Sequence, residues 1–428
     1  MPEVSKKITG EIVISSEALT EIEKGIKNLP DFKKKIETFL EKGVTEILEI
    51  ILGGVVSLDA SDIHIEPGEE RVKIRCRIDG ILQDILFIER KTYEALLSRI
   101  KLLSGIKLNI TDRPQDGRFS IFLKETPIEI RTSTLPAEYG ESIVLRVLNP
   151  RSLIDMGALG LREDLLKIFE KEIKKPNGMI IVTGPTGSGK TTTLYAFLKK
   201  IQKPEIKIIT IEDPIEYHLK GISQTQVDPR AGYDFANGLK SIMRQDPDVI
   251  LVGEIRDLET ANIALQAALT GHLVFTTLHT NDAAGTIARL VNLGAKPADI
   301  GPAINLAIAQ RLVRKVCPKC AEFEKFTPEI SNKFKKELSS LKIKKDLRIP
   351  KAVGCQDCNF TGYQGRVGLF EAFLIDDEME KFILKSPSIA ALREEAIKKG
   401  MVTVKQDGLM KVLEGIITLE EVERITGE

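Results

Sequence analysis

The pattern of apolar and polar positions in the first third of the chain predicts a helix followed by a strand-rich unit. Apolar residues recur with helical spacing over residues 32–56, which predicts one amphipathic helix there, whereas residues 1–35 as a whole give no firm structural prediction. The segments "SDIHIEP" and "RVKIRCRIDGILQDILFI" then alternate apolar and polar residues around Pro-Gly and Asp-Gly turns, a pattern typical of hairpins. A helix over 92–103 and further strands ending at "SIVLRVLNP" complete a predicted α+β unit.

The central part of the chain alternates apolar strands with helices. After a linker-like stretch, "LNPRSLIDMGALGL", the strands "GMIIVTG", "KIITIED", "DVILVGEI" and "HLVFTTL" are separated by helix-compatible segments. This order predicts a mostly parallel sheet covered on both faces. We expect five regions, namely a short N-terminal segment (1–35), an α+β domain (36–150), a P-loop core (151–310), a four-cysteine element (311–368) and a helical C-terminal region (369–428).

The composition argues against a nucleic-acid-binding protein and against a membrane-spanning or secreted one. Lys+Arg and Asp+Glu both number 62, so the net charge is zero, and aromatic residues make up only 5%. A basic surface or base-stacking platform for nucleic acid is therefore not indicated, and we expect no direct nucleic-acid binding. Neither a secretory signal nor an apolar stretch near the ~20 residues of a membrane span is apparent, so we expect a cytoplasmic protein.

The segment "GPTGSGKT", from Gly184 to Thr191, fits the phosphate-loop pattern GxxxxGK[ST] between an apolar strand and a helix. Glycines let backbone N–H groups turn inward around phosphate oxygens, and the helix N-terminus adds its dipole. Lys190 would reach the β- and γ-phosphates of ATP or GTP, and Thr191 would hold Mg²⁺. The predicted nucleotide-binding residues are Gly184, Pro185, Thr186, Gly187, Ser188, Gly189, Lys190, Thr191 and Thr192.

Several motifs together resemble those of the secretion ATPase family that powers type II secretion and type IV pilus assembly. They are "ASDIHIEP", "RPQDGRF", "GPTGSGKTTTLY", "IEDPIEY", "RQDPDVILVGEIRD", "TGHLVFTTLHTNDA", two CxxC pairs and "GYQGRVGLFE". The resemblance runs from about residue 44 to the C-terminus. It implies an α/β fold in which a RecA-like P-loop ATPase domain follows a smaller α+β, PAS-like domain and precedes a zinc-binding and helical C-terminal region.

The same resemblance explains an irregular Walker B segment. In "DPDVILVGEIRD" the strand ends in Gly253 and Glu254, whereas an Asp that holds Mg²⁺ is usual there. Members of the family normally end this motif in Gly-Glu, and a glycine leaves room for a water in the Mg²⁺ shell. Glu254 is therefore assigned as the catalytic glutamate that orients water, against the alternative of a strand-end charge paired with Arg256.

Further site residues follow from the resemblance. Glu212, in the family's Asp box together with Asp213, would be a second acid or metal-water ligand; as a bare pattern it is a polar strand end. His272 and His279 match the His box that senses the γ-phosphate, whereas such histidines are otherwise often structural. In the family, arginines of the first domain move onto the nucleotide when the two domains close. Arg118 and Arg131 match those positions best, and the alternative is that they are surface charges.

The two CxxC pairs, Cys317/Cys320 and Cys355/Cys358, can supply four thiolates to a structural zinc ion. The 34 residues between them exceed the usual spacing of zinc knuckles, and redox pairs are the alternative. Cys76, in the middle of a strand, is expected to be a small buried apolar residue. Because pilus retraction ATPases lack these knuckles, the resemblance favours pilus extension or secretion.

The resemblance also implies partners and a cellular place. A homohexameric ring would use ATP, Mg²⁺ and Zn²⁺ to drive an inner-membrane platform protein, with peripheral association through partners on the cytoplasmic side. The approximately 35 residues before the shared helix are too few for the N-terminal docking domain of the family, so we expect either a reduced docking element or a different mode of attachment. A DNA-transfer or DNA-translocating ATPase of the same superfamily is the alternative function.

Overall fold

The computed structural model describes residues 10–14, 16–123, 126–150, 153–338 and 347–427, and the account of the fold refers to these. The chain divides into two compact units. The first comprises Met1–Ser152, Cys317–Ala321 and Ala352–Gln364; the second comprises Leu153–Val316, Glu322–Lys351 and Gly365–Glu428. No helix within the described ranges is long and apolar enough to cross a membrane.

A seven-stranded sheet, in the order β1-β5-β6-β7-β2-β3-β4, forms the first unit together with four helices. The β1–β5 pair is parallel and the other pairs are antiparallel. Its strands are β1 (Glu11–Val13), β2 (Asp62–Pro67), β3 (Val72–Ile78), β4 (Ile81–Ile88), β5 (Gln115–Leu123), β6 (Thr126–Ala137) and β7 (Gly140–Leu148). Its helices are α1 (Ser16–Gly25), α2 (Leu29–Phe39), α3 (Val44–Ser57) and α4 (Arg90–Ser104).

The single helix predicted over residues 32–56 is wrong, because the structure forms two helices there. The chain leaves the helical conformation after α2 and re-enters it at Gly43, the N-cap of α3, whose backbone is extended (φ −70°, ψ 158°). Apolar residues keep a helical spacing on both sides of this break, so periodicity alone joins the two helices. The described part of the segment before residue 35 contributes β1, α1 and the start of α2 to the first unit; residues 1–9 lie outside the described residues.

The second unit is built on a seven-stranded sheet in the order β10-β9-β11-β12-β8-β13-β16. Pairs from β10 to β13 are parallel, which confirms the predicted mostly parallel sheet. The strands are β8 (Gly178–Thr183), β9 (Ile208–Glu212), β10 (Ser223–Gln226), β11 (Val249–Val252), β12 (Leu273–Leu278), β13 (Ile304–Val316) and β16 (Tyr363–Leu374), with a separate antiparallel pair of β14 (Glu322–Lys325) and β15 (Arg348–Lys351).

Helices surround this sheet. β8, β11 and β12 are buried along their whole length because they lie in the interior of a sheet covered on both faces. The helices are α5 (Glu163–Glu172), α6 (Lys190–Ile201), α7 (Phe235–Met243), α8 (Leu258–Leu269), α9 (Ala284–Leu293), α10 (Pro297–Ala303), α11 (Pro328–Glu337), α12 (Asp377–Ile383), α13 (Ile389–Lys398), α14 (Val404–Leu413) and α15 (Leu419–Thr426). The carboxyl ends of β8, β9, β11 and β12 therefore meet at one edge, where ligands of open parallel sheets bind.

Candidate nucleotide site

The predicted phosphate loop connects the end of β8 to the first residue of α6. Gly184, Gly187 and Gly189 have φ values of +147°, +79° and +87°, which L-residues with side chains rarely adopt. Gly189 is the N-cap of α6, so the first N–H groups of the helix face the loop. The backbone thus has the conformation that a phosphate-binding loop requires.

Lys190 and Ser188 are two of the polar residues of this loop. Lys190 Nζ donates to the carbonyls of Gly184 (2.9 Å) and Pro185 (3.1 Å). Burial lowers the pKa of Lys190, and the charge of Glu254 acts in the opposite direction. Ser188 Oγ is buried and has no hydrogen-bond partner within the described part of the chain. A buried hydroxyl that lacks a partner and lies beside a lysine can donate to a phosphate oxygen, as expected of a phosphate-binding loop.

Glu254 lies just past the carboxyl end of β11. One carboxylate oxygen pairs with Arg256 and the other lies 3.4 Å from His279 Nε2. Arg256 also lies 3.6 Å from the carboxylate of Asp213, which follows β9. The strand ends therefore bring Glu254 and Asp213, two of the three acids predicted at the cleft, to one arginine. The ion pair with Arg256, which was the alternative to a catalytic role for Glu254, is present.

Packing against β9 also explains why a glycine stands at position 253, in addition to the room for a Mg²⁺-bound water inferred from the sequence. Its N–H donates to the carbonyl of Ile211 (2.8 Å). A Cβ at this position would lie 3.2 Å from that carbonyl oxygen and 3.3 Å from Glu212 Cα, closer than most Cβ contacts. The glycine lets β11 end tightly against β9 and brings Glu254 to the shared edge.

Glu212 is placed differently from Glu254. Its side chain is buried and accepts hydrogen bonds from the hydroxyls of Tyr195 and Thr210 (2.6 Å for Thr210) and from Gln224 Nε2 (3.2 Å). Burial raises the pKa of Glu212, and these donors oppose the shift. The structure thus connects this carboxyl to α6 and β10, and its predicted role as a second acid stays a prediction.

The two histidines lie at opposite edges of the sheet. His279 follows the carboxyl end of β12, beside the phosphate-loop edge. His272 precedes β12, and its carbonyl accepts the N–H of Gly178 at the start of β8. A strand of six residues separates them, roughly 20 Å. The structure therefore brings His279, and not His272, to the phosphate-loop edge of its own unit.

Sequence reasoning missed Gln310, which lies beside the phosphate loop and bonds to α6. The last register pair of β13 with β8 joins Ala309 to Thr183, so Gln310 lies just beyond the end of β8. Its Oε1 accepts from Thr193 Oγ1 of α6 (2.7 Å), and its carbonyl oxygen would lie 2.4 Å from a Cβ at Gly184. The signal available was a polar pair, "QR", following the apolar segment "AINLAIA" at the same sheet edge.

The arginines predicted in the first unit lie in one row across its sheet. The register pairs Arg118 with Arg131, Arg131 with Arg146, Arg146 with Asp62, and Asp62 with Arg77. Asp62 forms ion pairs with Arg146 (3.0 Å) and Arg77 (3.4 Å). This face therefore carries four arginines against one aspartate in a single row, and the roles of Arg118 and Arg131 stay predictions.

The four cysteines of the CxxC pairs form one cluster in the first unit. Their Sγ atoms all lie within 4.8 Å of one another, and the Cys317–Cys355, Cys320–Cys358 and Cys355–Cys358 separations are 3.9, 3.8 and 3.8 Å. A tetrahedral metal with bonds of ~2.3 Å to sulfur requires such spacing, whereas a disulfide needs ~2.05 Å. The cluster can hold a metal ion. Cys76, as expected, is buried, and burial raises its pKa to about 12.

A parallel sheet with a glycine-rich phosphate loop, its lysine and a strand-end glutamate defines a P-loop nucleotide-binding protein of the α/β class. A family model described as Type II/IV secretion system protein matches residues 37–424. The chain belongs to this family, as the sequence motifs predicted, and it is an ATPase.

Individual relatives agree with this assignment. Type II secretion system ATPase E of Vibrio cholerae is 43% identical over 405 residues, covering 94% of this chain and 79% of that protein. Type IV pilus assembly ATPase PilB of Thermus thermophilus is 45% identical over 365 residues, covering 85% and 41%. Among solved structures, the Legionella pneumophila ATPase DotB has a TM-score of 0.65 at 25% identity (89% and 95% covered), and the pilus retraction motor PilT with bound ADP has 0.60 at 28% (88% and 96%).

Proposed function

We propose that this chain hydrolyses ATP at the loop 184–191 and converts the energy into mechanical work for type II protein secretion or type IV pilus assembly. The observation that carries the proposal is the placement of Lys190, which starts α6 after β8, and of Glu254, which follows β11, at the same edge of the parallel sheet. Phosphoryl transfer to water requires a cation at the phosphates and a group that positions the attacking water. Lys190 and Glu254 can supply these two groups.

Each side chain has a defined task in this proposal. Lys190 leaves the carbonyls of Gly184 and Pro185 and binds the phosphates, while the N–H groups at the start of α6 hold their oxygens. Thr191 would hold Mg²⁺, which neutralises the charge of the phosphates when bound. Glu254 orients the attacking water, and His279 contacts Glu254 and is placed to respond to the terminal phosphate.

The arginine row is proposed to supply further positive charge during hydrolysis. Arg118 and Arg131 lie side by side on β5 and β6, and Arg131 Nε also contacts Glu129 (3.2 Å). Phosphoryl transfer is accelerated by an arginine that approaches the developing charge. We assign the first unit, which contains the arginine row, to a PAS-like domain and the second unit to a RecA-like ATPase domain.

The cysteine cluster is proposed to hold one structural Zn²⁺. Four thiolates without an open ligand position are typical of structural rather than catalytic zinc. The N–H groups of Cys355 (3.1 Å) and Gly362 (3.3 Å) donate to Cys358 Sγ, which stabilises a thiolate ligand. The cluster brings both CxxC pairs together, which favours a metal site over two separate redox pairs.

The wider assembly is also part of the proposal. We propose a homohexamer on the cytoplasmic side of the inner membrane that acts on a platform protein, in line with the names of the secretion and pilus relatives. Membrane association would be peripheral and through partners. The balanced charge of the chain disfavours the DNA-transfer alternative.

Steady-state ATPase measurements on wild type and Glu254→Gln test this proposal. We expect the variant to bind ATP with little change and to lose about 100-fold or more in kcat, since water is no longer activated. Glu259→Gln, at an exposed position on α8, is a matched control that should retain wild-type kcat. Wild-type kcat no higher than that of Glu254→Gln in the assembled state would overturn the motor proposal.

A further inference from the structure

Arg311 is a cation beside the phosphate loop to which neither the motifs nor the mechanism above gives a role. It lies on β13 directly after Gln310, and its side chain is half-buried. A Cβ at Gly184 would lie 3.2 Å from Arg311 Nη1, so the guanidinium touches the first residue of the loop. Its positive charge also lowers the pKa of Lys190. Two cations thus share one small region.

The contacts of Arg311 leave its charge uncompensated. Nη2 donates to the carbonyl of Asn281 (2.8 Å) in the loop after β12, and Nη1 donates to the carbonyl of Gln310 (3.3 Å). Within the described residues no carboxylate lies at ion-pair distance. Glu371 is the acidic group that acts on Arg311, but its oxygens accept from the N–H groups of Ala283 (3.0 Å) and Val404 (3.3 Å).

A partly buried guanidinium that has only carbonyl partners is stabilised strongly by an anion. Ser188 Oγ lies 2.7 Å from the same Cβ position at Gly184 and is itself buried without a partner among the described side chains. A second cation and an unsatisfied hydroxyl therefore flank the start of the loop. The uncompensated cation favours an anionic ligand such as a polyphosphate group, and the hydroxyl can donate to one of its oxygens.

We propose that Arg311 is a nucleotide-binding residue that adds to Lys190 in binding the phosphates of ATP within the same subunit. The proposal rests on nucleotide binding at the loop 184–191 and assigns one more side chain to it. Through Asn281, Arg311 also connects the phosphates to the loop that begins with His279.

Binding measurements with two ligands test the proposal, namely a non-hydrolysable ATP analogue and AMP, by titration calorimetry on the full chain. We expect Arg311→Gln to raise the Kd of the ATP analogue about tenfold or more, as for loss of a charged hydrogen bond. The Kd of AMP should rise by a smaller factor, and Arg311→Lys should recover part of the loss. Lys315→Gln, which removes an exposed charge from the same strand, is the matched control and should bind like wild type.

Two results would overturn the assignment of Arg311. Wild-type affinity of Arg311→Gln for the ATP analogue would exclude a phosphate contact. An equal loss for AMP and the ATP analogue would show that Arg311 only supports the loop. If Arg311→Gln does not fold, Arg311→Lys decides between these outcomes with the same ligand comparison. Absence of binding by wild type would instead contradict the proposed function itself.

Discussion

Two glutamates that end neighbouring parallel strands have opposite surroundings. Glu254 is partly exposed and contacts the charged or ionisable groups of Arg256 and His279. Glu212 is buried, and its hydrogen-bond donors, Tyr195, Thr210 and Gln224, are all neutral. A carboxyl that is buried among neutral donors favours its protonated form more than an exposed one does. At the residue scale, the two acids are therefore not interchangeable.

Replacing Glu212 by Gln should separate the two roles. An amide has the same shape, and the Tyr195 hydroxyl can accept from it, so we expect kcat to fall much less than in Glu254→Gln. Because burial raises the folded-state pKa of Glu212, its contribution to stability is present below the unfolded-state pKa and is lost as pH rises through the folded-state value. In urea unfolding, the free energy of unfolding of Glu212→Gln minus that of wild type should therefore increase as the pH is raised from 4 to 8.

The result that contradicts this interpretation is kinetic. If Glu212→Gln loses kcat as fully as Glu254→Gln while ATP binding and folding are retained, Glu212 is a second catalytic acid, as the sequence predicted. Tyr195→Phe removes one hydrogen bond to Glu212 without changing either carboxylate, and it serves as the matched control.

At the scale of elements, a buried ion-pair group attaches the last helix to the sheet. Glu421 of α15 accepts from the backbone N–H of Arg314 on β13 (2.8 Å) and from its guanidinium (2.6 and 3.0 Å), and it pairs with Arg424 one turn later. Burial alone would raise the pKa of Glu421, but the hydrogen bonds from Arg424 and Arg314 outweigh it and lower the pKa to about 2. The helix is therefore held by a charge that exists only above that pH.

This attachment should depend on pH. An acid with a lowered folded-state pKa stabilises the fold above its unfolded-state pKa, about 4.3, and the contribution is lost as pH falls towards 2. We expect Glu421→Gln to lower the free energy of unfolding by about 2 kcal/mol at pH 7 and by roughly half as much at pH 3, because the carboxyl is still largely ionised in the folded state one pH unit above its pKa. Urea unfolding at both values measures this, and a deficit of the same size at pH 3 would show that the charge is not responsible.

For the whole molecule, periodicity and motifs predicted the mostly parallel sheet, its strands β8, β9, β11 and β12, and the phosphate loop, because these depend on local spacing. They missed β1, β10, β13 and β16. Apart from the residues joined by motifs, such as the four cysteines, they did not predict contacts between distant segments. The N–H of Leu29, at the start of α2, donates to Asn359 Oδ1 (2.6 Å), 330 residues away in the cysteine element. Gln310 and the surroundings of Glu212 were missed for the same reason, since strand neighbours in the sheet are not neighbours in sequence.

Zinc content tests the cysteine element at this scale. We expect one zinc per chain in protein purified under reducing conditions and its loss in Cys317→Ser and in Cys355→Ser, one variant from each pair, because a closed tetrahedral site needs all four thiolates. Cys76→Ala is the control and should retain the metal, because Cys76 lies apart in the core of the first unit. Wild-type protein without bound zinc would contradict the four-thiolate site.

An experimental structure with Mg²⁺ and a non-hydrolysable ATP analogue would show whether Lys190 and Glu254 act on the same nucleotide. We expect phosphates against the N–H groups at the start of α6, Lys190 Nζ moved from the carbonyls of Gly184 and Pro185 to a phosphate oxygen, and Glu254 facing the terminal phosphoryl group. A loop without nucleotide, or a Glu254 that stays turned to Arg256 in every subunit, would contradict this expectation.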